Sequence, residues 1–100
     1  MALYKFTNKS VEDVTNIWNY TFDHWSENQP DTYYQMILQN CKEVANSPEL
    51  GKNYSGVTEN LLGFKTGRHL IFYRKIDEYK VKIIRTLHEQ MDLKTRIIDK

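Results

Sequence analysis

An α+β fold in a single domain is expected for this chain, and three observations lead to it. Apolar residues recur at three- and four-residue steps in two stretches of the first half: Val14, Ile17, Trp18, Thr21 and Trp25, then Tyr34, Ile37, Leu38, Cys41, Val44 and Ala45. Each stretch makes one apolar stripe on a helix. After Leu61 the period changes, and runs rich in β-branched and aromatic residues alternate with short polar turns, as strands and hairpins do. Finally, 100 residues suffice for one core and not for two. Helices that precede a block of consecutive strands segregate onto one face of an antiparallel sheet.

The expected order is strand, two-helix hairpin, three-stranded antiparallel meander and short C-terminal tail. Ala2 to Thr7 alternates weakly and reads as a first strand, joined to the sheet at its edge or beside the last strand. Ser10 stands as N-cap of the first helix, with Glu12 and Asp13 in the first turn where acids suit the helix dipole. That helix is expected from about Val11 to about Ser26, with Trp18 and Trp25 in the core and Tyr20 and Phe22 off the stripe. Pro30 opens the second helix, where its missing N–H costs nothing, and Pro48 ends it near Asn46. Cys41 lies on the apolar stripe and is expected to be packed.

The polar stretch 47–60 reads as a long loop pinned by Leu50 and Tyr54. Strands follow at Leu61 to Thr66, His69 to Lys75 and Lys80 to Leu87, with turns at Thr66-Gly67 and Asp77-Glu78. Strict alternation places Val81, Ile83, Arg85 and Leu87 on one face of the last strand. Lys80, Lys82, Ile84, Thr86 and His88 then take the other. In the tail, Glu89 to Lys100, the spacing of Leu93 with Ile97 and of Lys94 with Ile98 fits a short amphipathic turn.

Composition narrows the function. A single cysteine forms no disulfide within the chain, and no apolar run reaches the roughly 20 residues that cross a bilayer. The start, Met1-Ala2-Leu3-Tyr4-Lys5, lacks the apolar core of a secretory leader, so a soluble cytoplasmic protein is expected. No Cys/His spacing suits zinc and no glycine-rich loop suits a nucleotide, so no cofactor is expected. Net charge is +1, but residues 1–60 carry −4 and residues 61–100 carry +5, which points the second half toward an acidic partner.

Several segments together resemble the RelE/ParE superfamily of bacterial toxins from type II toxin–antitoxin pairs, the ParE branch above all. They are Tyr4-Lys5-Phe6-Thr7, Ile17-Trp18-Asn19-Tyr20-Thr21 with Trp25, Tyr33-Tyr34, Pro48-Glu49-Leu50-Gly51 and Gly67-Arg68-His69-Leu70-Ile71-Phe72-Tyr73. The most specific is Ile84-Arg85-Thr86-Leu87-His88-Glu89-Gln90-Met91-Asp92. The resemblance implies a toxin that traps DNA gyrase with cleaved DNA, without enzymatic chemistry of its own, and that a ParD-type antitoxin neutralises. Expected gyrase contacts are Arg68, Arg74, Arg85, His88, Met91 and Asp92, forming one surface with the tail. Expected antitoxin contacts are Tyr20, Phe22 and Tyr33.

Two alternatives stand beside this. One is a RelE-like ribosome-dependent mRNA endoribonuclease, with Lys65, Arg68, Arg74, Arg85 and His88 neutralising phosphate and moving protons. Against it, the last tyrosine is Tyr79, and a net charge of +1 is modest for docking on ribosomal RNA. The other is a toxin-fold interaction module without toxicity. Arg85 also has a structural role open to it, pairing with an acid such as Asp92.

Overall fold

The computed structural model describes residues 3–24, 29–78 and 80–88, with 20–24 and 29–31 described by their backbone alone. The expectations for Trp25, Met91, Asp92 and the tail lie outside the described residues, as do those for the side chains of Tyr20 and Phe22. The elements run β1 (Leu3–Phe6), α1 (Asn8–His24), α2 (Gln29–Asn46), a 3-10 turn (Pro48–Leu50), β2 (Lys52–Asn53), β3 (Leu62–Thr66), β4 (His69–Asp77) and β5 (Lys80–His88). One sheet has the order β1-β5-β4-β3-β2, with β1 parallel to β5 and every other pair antiparallel. The α+β class and the three-stranded meander are as expected. The two-residue strand β2 was not; it is too short to show a period in the sequence.

The first helix starts earlier than its apolar stripe implies, because its cap is Thr7 and not Ser10. Thr7 Oγ1 accepts the Ser10 N–H at 3.1 Å, and the Thr7 carbonyl accepts the Val11 N–H at 3.0 Å. The same hydroxyl donates to the Ile84 carbonyl at 2.8 Å, while the Thr7 N–H reaches the Ile83 carbonyl at 3.0 Å. One residue thus caps α1 and ties it to β5. Ser10 is buried inside the helix, and its Oγ has no partner among the described residues.

A bulge changes the faces of β5. Phe72 is in register with Arg85 and Tyr73 with Ile83, so Ile84 is the extra residue. Val81 and Ile83 point to the helices, but Leu87 joins Ile84 in the cluster on the opposite face. Strict alternation along the strand, which put Leu87 with Val81 and Ile83, is therefore corrected.

The main core lies between the helices and the sheet: Val14, Ile37, Cys41, Val44, Ala45, Ile71, Tyr73, Val81 and Ile83, with Tyr4 and Phe6 packed against it. Burying each aliphatic side chain contributes about 1.5–3 kcal/mol. On the far face the segment following β2 folds back, and Tyr54 and Val57 cover Leu61, Phe72 and Leu87. The Tyr54 ring meets Phe72 edge-on, centroids 5.2 Å apart. Tyr73 crosses the main core and donates to the Pro48 carbonyl at 2.6 Å; a Cβ at Gly51 would overlap its hydroxyl. Trp18 is only half-buried and lines a surface groove, against the expectation of a core role.

Thr7→Ala is expected to lower stability by about 1–2 kcal/mol, since it removes a cap and a hydrogen bond to the Ile84 carbonyl of β5. Ser10→Ala should be neutral or slightly stabilising, because it deletes a buried hydroxyl with no partner. Urea midpoints for the two variants decide between Thr7 and Ser10 as cap; the reverse order of stability contradicts this assignment.

Burial pushes the Cys41 thiol and the Tyr73 phenol each up to about 12, the latter offset in part by a backbone hydrogen bond at Gly51. In the unfolded chain these groups release protons near pH 8.5 and about pH 10. A raised folded value leaves stability intact below the unfolded value and removes it as pH climbs toward the folded one. Stability should therefore fall between about pH 9 and 12, and Cys41→Ala should flatten the early part of that fall. A urea midpoint for the parent protein that is unchanged from about pH 7 to about pH 11 would contradict it.

Candidate interaction surface

Tyr33 organises one end of the sheet. It projects from α2 to the β3–β4 turn, where its hydroxyl accepts the Arg68 N–H at 3.0 Å. The same oxygen lies 2.6 Å from His69 Nδ1 and 3.3 Å from the Thr66 carbonyl. A phenol has one proton and two lone pairs. All three contacts are satisfied together when His69 carries its proton on Nδ1 and the phenol donates to Thr66. Thr66 Oγ1 in turn accepts from Asn40 Nδ2 at 2.6 Å. Gly67 makes the turn with φ of +61°, and a Cβ there would come within 2.7 Å of the Tyr33 hydroxyl. Only glycine suits both the left-handed backbone and the close approach.

His88 joins this group across the sheet. It is in register with His69, and the two rings meet edge-on with centroids 5.3 Å apart. Arg68, His69, His88 and Tyr33 therefore share one end of the molecule. Tyr33, expected to face an antitoxin, is instead half-buried and packed against the main core, with its hydroxyl bonded within the fold.

Arg85 is committed elsewhere. Its Nε lies 2.7 Å from Asp13 Oδ2 and its Nη2 lies 2.9 Å from Oδ1, a bidentate pair; Asp13 Oδ2 also accepts the Thr86 N–H at 3.1 Å. Donating to the Asp13 carboxylate raises the Arg85 pKa, against the opposing effect of burial. Asp92 lies outside the described residues; within them the partner is Asp13. In the sequence Asp13 reads as an acid in the first helical turn that suits the helix dipole. The available signal was its place on the stripe of Val14 and Ile17, where a buried carboxylate demands a cation or N–H donors.

Arg74 is also engaged. Its Nε donates to the Glu59 carbonyl and its Nη2 to Thr58 Oγ1, both at 3.1 Å, which fastens the segment after β2 to β4. Arg74 is in register with Lys82, six residues before His88 on β5. At about 3.3 Å per residue that is roughly 20 Å of strand. The expected single surface of Arg68, Arg74 and Arg85 therefore does not form: Arg68 and Arg74 are roughly 20 Å apart along the strands, and Arg85 between them is held by Asp13.

A separate groove of about 450 Å³ opens between α1, α2 and β1, lined by Phe6, Val11, Val14, Thr15, Trp18 and Tyr34 with Gln35 at its side. Its walls are mainly apolar, which suits side chains from another polypeptide. Among the described residues no three His, Cys, Asp or Glu side chains gather as a metal site, and no helix is long and apolar enough to cross a membrane.

A helical hairpin laid over a sheet of this order is the architecture of the RelE/ParE-like toxins. The structure superposes on a chain of the chromosomal ParDE toxin–antitoxin system of P. aeruginosa with a TM-score of 0.73, at 14% identity, covering 88% of this chain and 96% of that one. It superposes on a chain of the RelBE2 toxin–antitoxin complex of Mycobacterium tuberculosis with a TM-score of 0.66, at 18% identity, covering 88% and 98%. At those identities the likeness concerns the fold.

Sequence carries the assignment further. The family described as ParE toxin of the type II toxin–antitoxin system parDE matches residues 4–93, and the chain belongs to that family. Toxin ParE1 of Mycobacterium tuberculosis is 27% identical over 80 residues, which are 80% of this chain and 82% of that protein. Toxin ParE1 of Caulobacter vibrioides is 25% identical over 97 residues, 97% of this chain and 99% of that protein.

The Asp13 network yields a stability prediction. Asp13→Ala strands the Arg85 guanidinium and the Thr86 N–H without their carboxylate, and should cost about 3 kcal/mol. Replacing both partners, Asp13→Leu with Arg85→Met, should recover most of that loss, since no charge is then left unpaired. Urea unfolding of the two proteins checks this, and an Asp13→Ala loss below about 1 kcal/mol contradicts it.

Proposed function

We propose that this ParE-family toxin inhibits DNA gyrase by holding it with cleaved DNA, that it does so by binding rather than by catalysis, and that a ParD-type antitoxin neutralises it. One observation carries the non-enzymatic part. The cations that a ribonuclease would converge on phosphate are dispersed: Arg85 is bidentate to Asp13, Arg74 binds the segment after β2, and Arg68 lies at the far end of the sheet. Transition-state stabilisation needs such groups preorganised around one point. Family membership over residues 4–93 supports the gyrase target and the antitoxin. The solved relatives are toxin–antitoxin systems, which adds weight to the antitoxin. The apolar groove beside Trp18 and Val11 is where an amphipathic antitoxin segment would lay its apolar side chains.

The endoribonuclease is the second reading, and the cluster of Tyr33, His69 and His88 favours it, since acid–base groups meet there. A paired assay separates the two. The purified toxin is added to gyrase, plasmid and ATP, and separately to translating ribosomes. Linear DNA trapped on gyrase, absent once the ParD-type antitoxin is supplied, is the expected result. Cleaved mRNA with gyrase turning over normally would sink the proposal. Trp18→Ala should weaken rescue by antitoxin while leaving gyrase trapping intact.

A further inference from the structure

The face of the sheet away from the helices carries a row of like charges. Lys5 on β1 is in register with Lys82 on β5, and Lys82 is in register with Arg74 on β4. Lys82 therefore has a cation directly opposite it on both neighbouring strands; Arg74 keeps its charge there, because the Glu59 carbonyl and Thr58 hydroxyl that hold it are neutral. Strands lie about 4.8 Å apart, so the three charges span roughly 10 Å. Lys80, two residues from Lys82 on the same face, adds a fourth cation at the margin of the row, where Asp77 stands opposite it on β4 and Leu3 on β1. Among the described residues neither Lys5 nor Lys82 forms an ion pair, and both are exposed.

Like charges placed directly opposite on adjacent strands destabilise a sheet. A solvated face gains nothing from such a row, whereas an anion lying across the strands turns the repulsion into attraction. The composition of the row indicates which anion. Cores of protein–protein interfaces are depleted in lysine, while surfaces that meet nucleic acid are strongly positive. The strip holds three lysines and one arginine, lies on a sheet face and, among the described residues, has no aromatic side chain in register with its cations for stacking on single-stranded bases. We propose that Lys5, Lys82 and Arg74, with Lys80 beside them, form a docking strip for the phosphodiester backbone of duplex nucleic acid, bound without sequence preference. Each amine or guanidinium would displace a condensed counterion from a phosphate. Binding is a property of the toxin alone, so its test is separable from gyrase trapping.

The experiment follows the anisotropy of a labelled DNA duplex of about 20 base pairs titrated with the toxin, between about 50 and 200 mM salt. Three neutralised phosphates give a log–log slope of about −2.7, an affinity loss of about 40-fold over that range. Lys82→Gln should reduce the slope by about 1 and raise the melting temperature at low salt, because it relieves the repulsion with both neighbours. Lys5→Gln should act likewise. Lys42→Gln, an equal change of charge on the exposed side of α2, should leave duplex binding as it was. Absence of duplex binding at about 50 mM salt overturns the proposal, as does undiminished binding by both Lys5→Gln and Lys82→Gln. Displacement of the duplex by an equal charge of polyglutamate assigns the strip to an acidic polypeptide and overturns it too.

Discussion

The structure depends on how the open edge of β5 is closed. β1 covers β5 only from Lys80 to Ile83, and the remaining half of the strand would otherwise present bare carbonyl and N–H groups at a sheet edge. The first turns of α1 close it. Thr7 takes the carbonyls of Ile83 and Ile84, and Asp13 takes the Thr86 N–H while pairing with Arg85. A helix thus completes a ladder that a longer strand would have completed. The entry angle of α1 is set by the same contacts, and with it the packing of Val14 and Ile17 against the core. Backbone satisfaction and core geometry are here one constraint, because an orphaned N–H or a displaced helix costs each of them.

Most of the fold was legible in the sequence, and the failures share a cause. The helical stripe of Ile37, Cys41, Val44 and Ala45 is buried as its spacing implies, and the strands fall where the period changes. What periodicity does not contain is a long-range polar contact. Thr7 and Ser10 are both good caps by type, and the choice between them is made by the Ile84 carbonyl, 77 positions away in sequence. Asp13 on a first helical turn has a sufficient local explanation in the helix dipole, which concealed its partner on β5. The bulge at Ile84 inverts every face assignment beyond it, because one extra residue flips the alternation of a strand.

The candidate contacts were less legible, for a related reason. Charged residues in a sequence carry no mark of whether they face a partner or each other. Arg74 and Arg85 had equal claims to a target surface, yet each has found carbonyl, hydroxyl or carboxylate oxygens inside the fold. Tyr33 had a claim to an antitoxin surface and instead holds the β3–β4 turn, with Gly67 leaving room for its hydroxyl. His69 was unmarked in the sequence, being one of three scattered histidines; the register of β4 on β5 places it opposite His88. The sequence motif around His88 supplied the family, and the pairing of strands supplied the neighbours.

The two faces of the sheet divide the work between stability and encounter. The helical face holds the main core, and its hydroxyls, thiol and carboxylate are spent on internal partners or on burial. The opposite face is only partly covered: Tyr54 and Val57 shield Phe72 and Leu87, and Arg74 fastens that cover at its margin. Beyond the margin lie Lys82 and Lys5, where cations stand directly opposite one another and the acid in register, Asp77, faces Lys80 instead. A domain of this size has only about 5–15 kcal/mol of net stability, so a repulsive row is a measurable fraction of it. Residues that weaken the isolated fold persist most readily where a bound state uses them, as happens at functional sites that trade stability for activity. The uncovered cationic face is the place in this toxin where that trade is most visible, and it lies apart from both the groove beside Trp18 and the cluster around Tyr33.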